Sequence, residues 1–140
     1  MPELKPLNWS PTPGVGYTVV RRADGGMQLT FTDLSDATLK HWHDFSIEHL
    51  MGSDRLTRNL YDLRQVKSIP EKAIRLAIEV DSDPASRNIR AAVVVASPAV
   101  RDTVLQVVAA AERPAGAAVK IFTDLNEAEA WLSRPLDQLA

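Results

Sequence analysis

The segment R-A-A-V-V-V-A, from Arg90 to Ala96, is the feature that most limits how this chain folds. An apolar run that does not alternate with polar residues is typical of a parallel strand covered on both faces. Helix-like patterns precede and follow this run along the chain and can supply that cover. Arg90–Ala96 therefore predicts a central strand of an α/β domain.

The rest of the chain alternates between strand-like and helix-like patterns. Asp24-Gly25-Gly26 separates the first two strands, and its glycines permit the positive φ that tight hairpin turns need. Helices of ordinary length separate the later strands, which implies right-handed crossovers and parallel pairing. We predict a mixed, mostly parallel sheet with four helices in the order β-β-α-β-α-β-α-β-α. The strands are 17–22, 27–32, the middle of 58–66, 90–96 and 119–122, and the helices are 35–51, 70–80, 98–112 and 124–133. The segment 58–66 is predicted to be a buried strand that runs into a loop.

Two junctions carry residue pairs spaced as capping boxes, in which an N-cap side chain and a later Glu satisfy each other's backbone N–H groups. Ser68 and Glu71 form one pair before the second helix, and Asp124 and Glu127 form the other before the last helix. We therefore expect Ser68 to be occupied in capping.

The chain is predicted to contain an arm, one domain and a tail. Residues 1–16 are rich in proline and glycine and predict an extended arm. Residues 17–133 have the usual size of a domain with a single hydrophobic core, and residues 134–140 form the tail. Trp9 lies in the arm, where we expect it to dock on the same chain or on a second subunit.

Composition argues against several classes of function. The formal net charge is −2, whereas nucleic-acid binding needs a concentrated basic surface. The chain has no cysteine, which excludes disulfides, thiol catalysis and cysteine-ligated metals. No apolar run approaches the ~20 residues of a membrane span, and the first residues lack the apolar core of a signal peptide. We expect a cytoplasmic protein.

Two segments resemble a bacterial family. K-I-F-T-D-L-N-E-A-E-A-W-L, from Lys120 to Leu132, combines an apolar strand, a capping aspartate and a helix that closes on Trp-Leu. R-N-L-Y-D-L-R-Q-V, from Arg58 to Val66, matches the strand and loop that precede the family's second helix. On these segments, residues 17–132 resemble the SpoIIAA-like family of small bacterial proteins. The resemblance implies a STAS-type fold.

The loop after the third strand departs from the pattern of the anti-sigma-factor antagonists that share this fold. Their loop reads approximately D-x-S-x-V-x-x-I-D-S-S-G, and a partner kinase phosphorylates a serine in it. Asp62, Val66 and Ile69 occupy the first, fifth and eighth positions here, but P-E-K-A at 70–73 replaces the last four. The phosphorylation switch is therefore not expected in this chain.

The resemblance implies a non-catalytic regulatory or protein-interaction module, because STAS-type domains bind proteins or sense small ligands. The sequence has no G-x-S-x-G elbow and no phosphate-binding glycine loop. We expect a homodimer with an unidentified protein partner, no cofactor and no enzymatic activity. The alternative is a small carrier or sensor of an apolar ligand, since the fold is related to lipid carriers of the Sec14 kind. Trp42, Phe45 and Trp131 are its cavity candidates, although such aromatic residues more often belong to an ordinary core.

The candidate partner-binding residues, besides Trp9, lie where predicted strands end and helices begin. Ligands favour this edge of open α/β sheets. Asp33 follows the second strand, Asp62 and Arg64 follow the third, and Ser68 lies in the same loop. Asp62 and Arg64 are the stronger candidates because neither is needed as a cap. Other polar residues at this edge are expected to cap helices only, namely Ser35, Ser97 and Asp124.

Three histidines of the first helix do not predict a metal site. His41 and His43 are two positions apart, so their side chains point about 200° away from each other around the helix. His49 points in a third direction. His41 is expected on a solvent-facing surface, where Asp44 and Glu48 could give it only a weak metal site.

Overall fold

The computed structural model describes residues 12–23, 26–51, 57–82, 89–110 and 118–134. They form an α/β domain with a five-stranded mixed sheet and four helices, which confirms the predicted fold class. Trp9, most of the predicted arm and residues 135–140 of the tail lie outside the described residues. In chain order the elements are β1 (Tyr17–Arg21), β2 (Met27–Phe31), α1 (Asp36–Met51), β3 (Thr57–Asp62), α2 (Glu71–Ser82), β4 (Ile89–Val94), α3 (Pro98–Ala110), β5 (Ala118–Phe122) and α4 (Leu125–Leu132).

The sheet has the strand order β1-β2-β3-β4-β5. β1 runs antiparallel to β2, and the three remaining pairs are parallel. Each parallel crossover advances the chain by one strand in the same direction, so crossovers of one hand place their helices on one face. α1, α2 and α3 therefore share a face, and the carboxyl ends of β2 to β5 meet at one edge.

Alternation along β4 divides the apolar core into two clusters. Val93 and Val95 pack with residues of α1, α2 and α3. Ala92 and Val94 point to the other face, where they pack with α4. β4 is thus covered on both faces, which explains why its apolar residues do not alternate with polar ones.

α4 covers only part of its face of the sheet. It packs against β3, β4 and β5, whereas β1 and β2 lie beyond it. Thr18 and Val20 of β1 point to this face and are exposed, Val20 to 62%. The hairpin is therefore covered by helices on one face only.

The capping prediction for Ser68 is wrong. The Ile74 N–H donates to the Pro70 carbonyl at 3.2 Å, so α2 begins directly after Pro70. Ser68 lies two positions too early to reach the free N–H groups of the first turn. It is exposed, and its hydroxyl makes no hydrogen bond to the described residues. The cap at Asp124 is present, since its carboxylate accepts from the Glu127 N–H at 3.1 Å.

β3 ends at Asp62, within the segment 58–66 where a strand running into a loop is predicted. Leu63 still continues the ladder, because its N–H donates to the Val94 carbonyl at 2.8 Å. The chain then turns, and the Val66 N–H donates back to the Leu63 carbonyl at 3.1 Å. Val66 is buried in the core under α1–α3, so it anchors the loop that follows β3.

Candidate functional site

Asp33, at the end of β2, belongs to a hydrogen-bonded network that joins the start of β1 to the start of α1. Its carboxylate accepts from the Ser35 N–H at 3.0 Å and from the Thr38 hydroxyl at 2.6 Å. The Thr38 hydroxyl oxygen in turn accepts from the Gly16 N–H at 2.7 Å. The hydrogen bonds from Thr38 and Ser35 lower the pKa of Asp33. Asp33 is therefore an ionised structural acceptor.

Asp62, at the end of β3, is buried and paired with Arg64. Its carboxylate accepts from the Arg64 backbone N–H at 3.0 Å, from Nε at 3.0 Å and from Nη2 at 2.8 Å. These hydrogen bonds from Arg64 lower the pKa of Asp62 against the opposing effect of burial. A carboxylate held ionised in this way is a poor proton acceptor near neutral pH.

Arg64 is also fixed by this pairing but remains partly accessible. Asp62 raises the pKa of the Arg64 guanidinium, and the Arg64 side chain stays about half exposed. The two residues are thus brought together, as their neighbouring positions at the strand end predict. They present a positively charged planar group at the edge of the sheet, with the carboxylate hidden beneath it.

Ser68 lies in the exposed part of the loop that connects β3 to α2. Val66 is buried and Ile69 is half-buried, so both hold the loop to the core. Lys67 and Ser68 are exposed. The loop runs directly into α2, which forms one side of a groove.

A groove of about 350 Å³ lies between α1 and α2 on the outside of the domain. Sequence reasoning missed it, because the sequence does not specify how the two helices are aligned. The Lys72 ammonium lies 3.4 Å from the Asp36 carboxylate, and His43 Nε2 lies 3.3 Å from Glu79. The lining residues are Asp36, Ala37, Lys40, His43, Lys72 and Leu76. We call Arg64, Ser68 and this groove the carboxyl-edge surface.

The expectation that His41 belongs to a solvent-facing surface is wrong. His41 is half-buried, and its Nδ1 lies 2.6 Å from the Tyr17 hydroxyl. The Tyr17 and His41 rings also meet edge to face, with centroids 5.5 Å apart. The reason is that β1 lies close enough to α1 for Tyr17 to reach its side. Among the described residues, no three His, Asp or Glu side chains are grouped so that they could hold a metal ion.

The three aromatic cavity candidates do not share one environment. Trp42 and Phe45 belong to the core under α1–α3, where Trp42 meets Phe31 edge to face. Trp131 belongs to the core under α4, on the opposite side of the sheet. The sequence shows that all three are apolar-facing, but it does not show which face α4 covers.

Comparison with protein-family models, curated proteins and solved structures gives no match to this chain. Within the ranges that the structure describes, no helix has both the length and the apolar character needed to cross a membrane.

Proposed function

We propose that this domain is a non-catalytic regulatory or protein-interaction module with a STAS-type fold. The proposal places the binding site for a protein partner at the carboxyl-edge surface. The observation that carries it is that Asp33 and Asp62, the carboxylates that directly follow β2 and β3, are committed to internal hydrogen bonds. What the edge offers to another molecule is the exposed groups of Arg64 and Ser68 and an open groove.

The fold supports the STAS part of the proposal. The chain begins with the antiparallel hairpin β1–β2, and β3, β4 and β5 then join the sheet in order, each parallel to the strand before it. The loop between β3 and α2, where the resemblance places the partner-facing segment, is exposed at Lys67 and Ser68. Because Glu71 and Lys72 replace the family's adjacent serines, we propose a partner that recognises shape and charge and not a phosphorylated residue.

The proposal extends to a homodimer. Its support is the face of β1 that no described helix covers, where Val20 is a large apolar side chain exposed to 62%. Size-exclusion chromatography with light scattering on the full chain tests it. We expect a dimer that Val20→Glu converts to a monomer, and a wild-type monomer would remove this part of the proposal.

The apolar-ligand alternative has less support. Trp42 and Phe45 lie on one face of the sheet and Trp131 on the other, so the three cannot line one cavity. We therefore do not propose a carrier that uses this set of residues.

Photo-crosslinking inside the cells that produce the protein tests the interaction site. A benzoylphenylalanine placed at Ser68 should capture a protein partner, because that side chain is exposed in the loop that leads into α2. The matched control is the same group at Asp102, which is exposed on α3. Adducts at Ser68 alone support the site. No adduct at Ser68, or the same adducts at both positions, would contradict it.

A further inference from the structure

We infer that residues 7–10 of the arm pair with β1 as a further antiparallel strand, and that Leu7 and Trp9 lie beside the exposed side chains of β1. The occupant of this edge of the sheet is therefore the chain's own arm and not a second molecule. This inference goes beyond the proposed function and does not depend on it.

Residues 12–15 form a turn that reverses the chain directly before β1. The Val15 N–H donates to the Thr12 carbonyl at 3.1 Å, and Gly14 has a φ of 82°. Pro13 precedes this glycine, and proline followed by a glycine of positive φ is typical of a type II β-turn. Because such a turn brings the chain back on itself within four residues, the segment before Thr12 is directed along the β1 of the same copy.

The backbone of β1 presents alternate residues to the side from which this segment returns. β1 is the first strand in the order of the sheet, beside β2. The Gly16 carbonyl accepts from the Thr32 N–H at 2.8 Å, so it points towards β2, whereas the Val15 N–H points back into the turn. Hydrogen-bonding directions alternate along an antiparallel strand. The backbone groups of Tyr17 and Val19 therefore point in the direction of the Val15 N–H, towards the arm.

The turn also fixes the register of the arm, because pairing continues outward from Thr12 and Val15. The hydrogen-bonded pairs are then Ser10 with Tyr17 and Asn8 with Val19, and the pairs in the alternate positions are Trp9 with Thr18 and Leu7 with Val20. Pro11 falls in an alternate position, where the strand does not need the N–H that proline lacks. Pro6 falls at a hydrogen-bonded position, so the pairing ends before it. A type II turn fits the twist of paired strands less well than a type I′ or II′ turn, which also favours a short pairing.

This register places the apolar side chains of the arm on the face of β1 that α4 leaves uncovered. Thr18 and Val20 point to this face and are exposed. Residues directly opposite each other in an antiparallel pair share a face, and an aromatic residue beside a β-branched one is a stabilising combination. Trp9 beside Thr18 and Leu7 beside Val20 thus form an apolar strip. The paired arm also shields an edge strand that would otherwise invite pairing with other chains.

NMR spectroscopy of the full wild-type chain tests the register. The Cα atoms of opposite residues in the alternate positions are only about 4.5 Å apart, so their Hα atoms are in contact. We expect Hα–Hα NOEs between Trp9 and Thr18 and between Leu7 and Val20. The absence of both NOEs would overturn the inference, as would NOEs from Trp9 to Tyr17 or Val19 in a register shifted by one residue.

A disulfide shows whether the arm pairs with its own β1. The chain has no cysteine, so Leu7→Cys with Val20→Cys introduces two thiols on one face of the predicted pair. The control, Leu7→Cys with Arg21→Cys, has almost the same loop length, but successive side chains of a strand point to opposite faces. At equilibrium with glutathione, we expect the disulfide within one chain to form about tenfold more favourably in the first variant than in the control.

The protein concentration is chosen so that Val20→Cys alone forms no disulfide-linked dimer. Equal formation of the disulfide in the two double variants would overturn the inference, because an arm without a fixed register brings both pairs together alike. A disulfide that joins two chains would assign the arm to a second copy and would also overturn it. Neither result bears on the crosslinking at Ser68, so failure of this inference leaves the proposed interaction site untouched.

Discussion

Arg22, directly after β1, and Glu129 of α4 are 107 positions apart in the chain and are joined by two hydrogen bonds. Nη1 lies 2.8 Å from Oε1, and Nη2 lies 2.9 Å from Oε2. The Arg22 side chain is 9% exposed and that of Glu129 is 42% exposed. Because α4 leaves the hairpin bare on this face, the pair links the last helix to a part of the sheet that it does not cover.

We expect this pair to stabilise the fold measurably. Arg22→Ala and Glu129→Ala should each lower the free energy of unfolding by about 1 kcal/mol. This value is below that of a fully buried charged hydrogen bond because Glu129 is partly solvated. A double-mutant cycle by urea denaturation should give a coupling energy of about 0.5–1 kcal/mol. Arg22→Lys should recover only part of the loss, since an ammonium cannot form both bonds of the fork.

The exposed pair Lys40 and Asp44 of α1, 3.2 Å apart, is the matched control. Its cycle should give at most about 0.5 kcal/mol, as for other i,i+4 pairs on helix surfaces. A coupling energy for Arg22 and Glu129 below that measured for Lys40 and Asp44 would contradict the prediction.

Arg90 of β4 should matter more, because its side chain is completely buried. Its guanidinium carbon lies 5.5 Å from the centroid of the Trp131 ring, and Nη1 donates to the Arg134 carbonyl at 3.0 Å. Arg90→Ala leaves a cavity under Trp131 and removes a cation from the carboxyl end of α4. We expect a loss of about 3 kcal/mol in the free energy of unfolding, by urea denaturation. Arg90→Met fills much of the space and should cost less.

Arg58 provides the comparison for Arg90. The two residues are register partners on β3 and β4, and Arg58 also donates to the Arg134 carbonyl, at 3.2 Å. Arg58 is less buried, so Arg58→Ala should cost less than Arg90→Ala. Equal losses in the free energy of unfolding for the two variants would mean that burial of Arg90 against Trp131 does not stabilise the fold.

How far the sequence predicts this molecule depends on whether a feature is local. The cap at Asp124 was predictable because donor and acceptor are three positions apart and lie in one helical turn. The burial of β4 was predictable because its apolar run is continuous. The capping prediction for Ser68 is wrong because a capping-box spacing does not show where the helix begins. Here the helix begins after Pro70 and not after the serine.

Features that depend on packing between distant segments could not be predicted. The bonds from Arg22 to Glu129 and from Tyr17 to His41 require knowing which strand each helix lies beside. The division of Trp42 and Trp131 between two cores depends on the face that α4 covers. In the candidate site, the pairing of Asp62 with Arg64 can be predicted because the two residues are neighbours in the chain. The groove cannot be predicted, because it depends on how α1 and α2 pack.

The pairing of Asp62 with Arg64 predicts a pH-dependent contribution to stability. The pKa of Asp62 in the folded protein is lowered from its ordinary value of 3.8, mainly by hydrogen bonds from Arg64. The contribution is therefore complete above pH 3.8 and disappears as the pH falls through the lower, folded-state pKa. Asp62→Asn should be less stable than the wild type by about 1 kcal/mol at pH 7, with the difference shrinking in acid. Urea midpoints measured from pH 7 to pH 2 test this.

Arg64→Gln should reproduce this trend, because it removes the donor that holds Asp62 ionised. Arg75→Gln, at an exposed position of α2, is the control for losing one positive charge and should leave the pH profile unchanged. A constant difference between wild type and Asp62→Asn across the whole range would show that the carboxylate is not stabilised in its ionised form.

Gly16 is required by its closeness to Asp33. A Cβ on Gly16 would overlap the Asp33 carboxylate, which cannot move away without losing its hydrogen bond from Thr38. Gly16→Ala should therefore lower the free energy of unfolding by about 2 kcal/mol. Gly14, with φ of 82° and no atoms near the position of a Cβ, offers a contrast. Gly14→Ala should cost about 1 kcal/mol through backbone conformation alone.

The Asp33→Ala background separates the two causes. Without the carboxylate, the cost of Gly16→Ala should fall well below its value in the wild type, because the overlapping atoms are gone. The cost of Gly14→Ala should not change, since it does not involve Asp33. Urea denaturation of the three single and two double variants measures both. If Gly16→Ala costs the same with and without Asp33, the requirement for glycine comes from the backbone and not from the network at the start of α1.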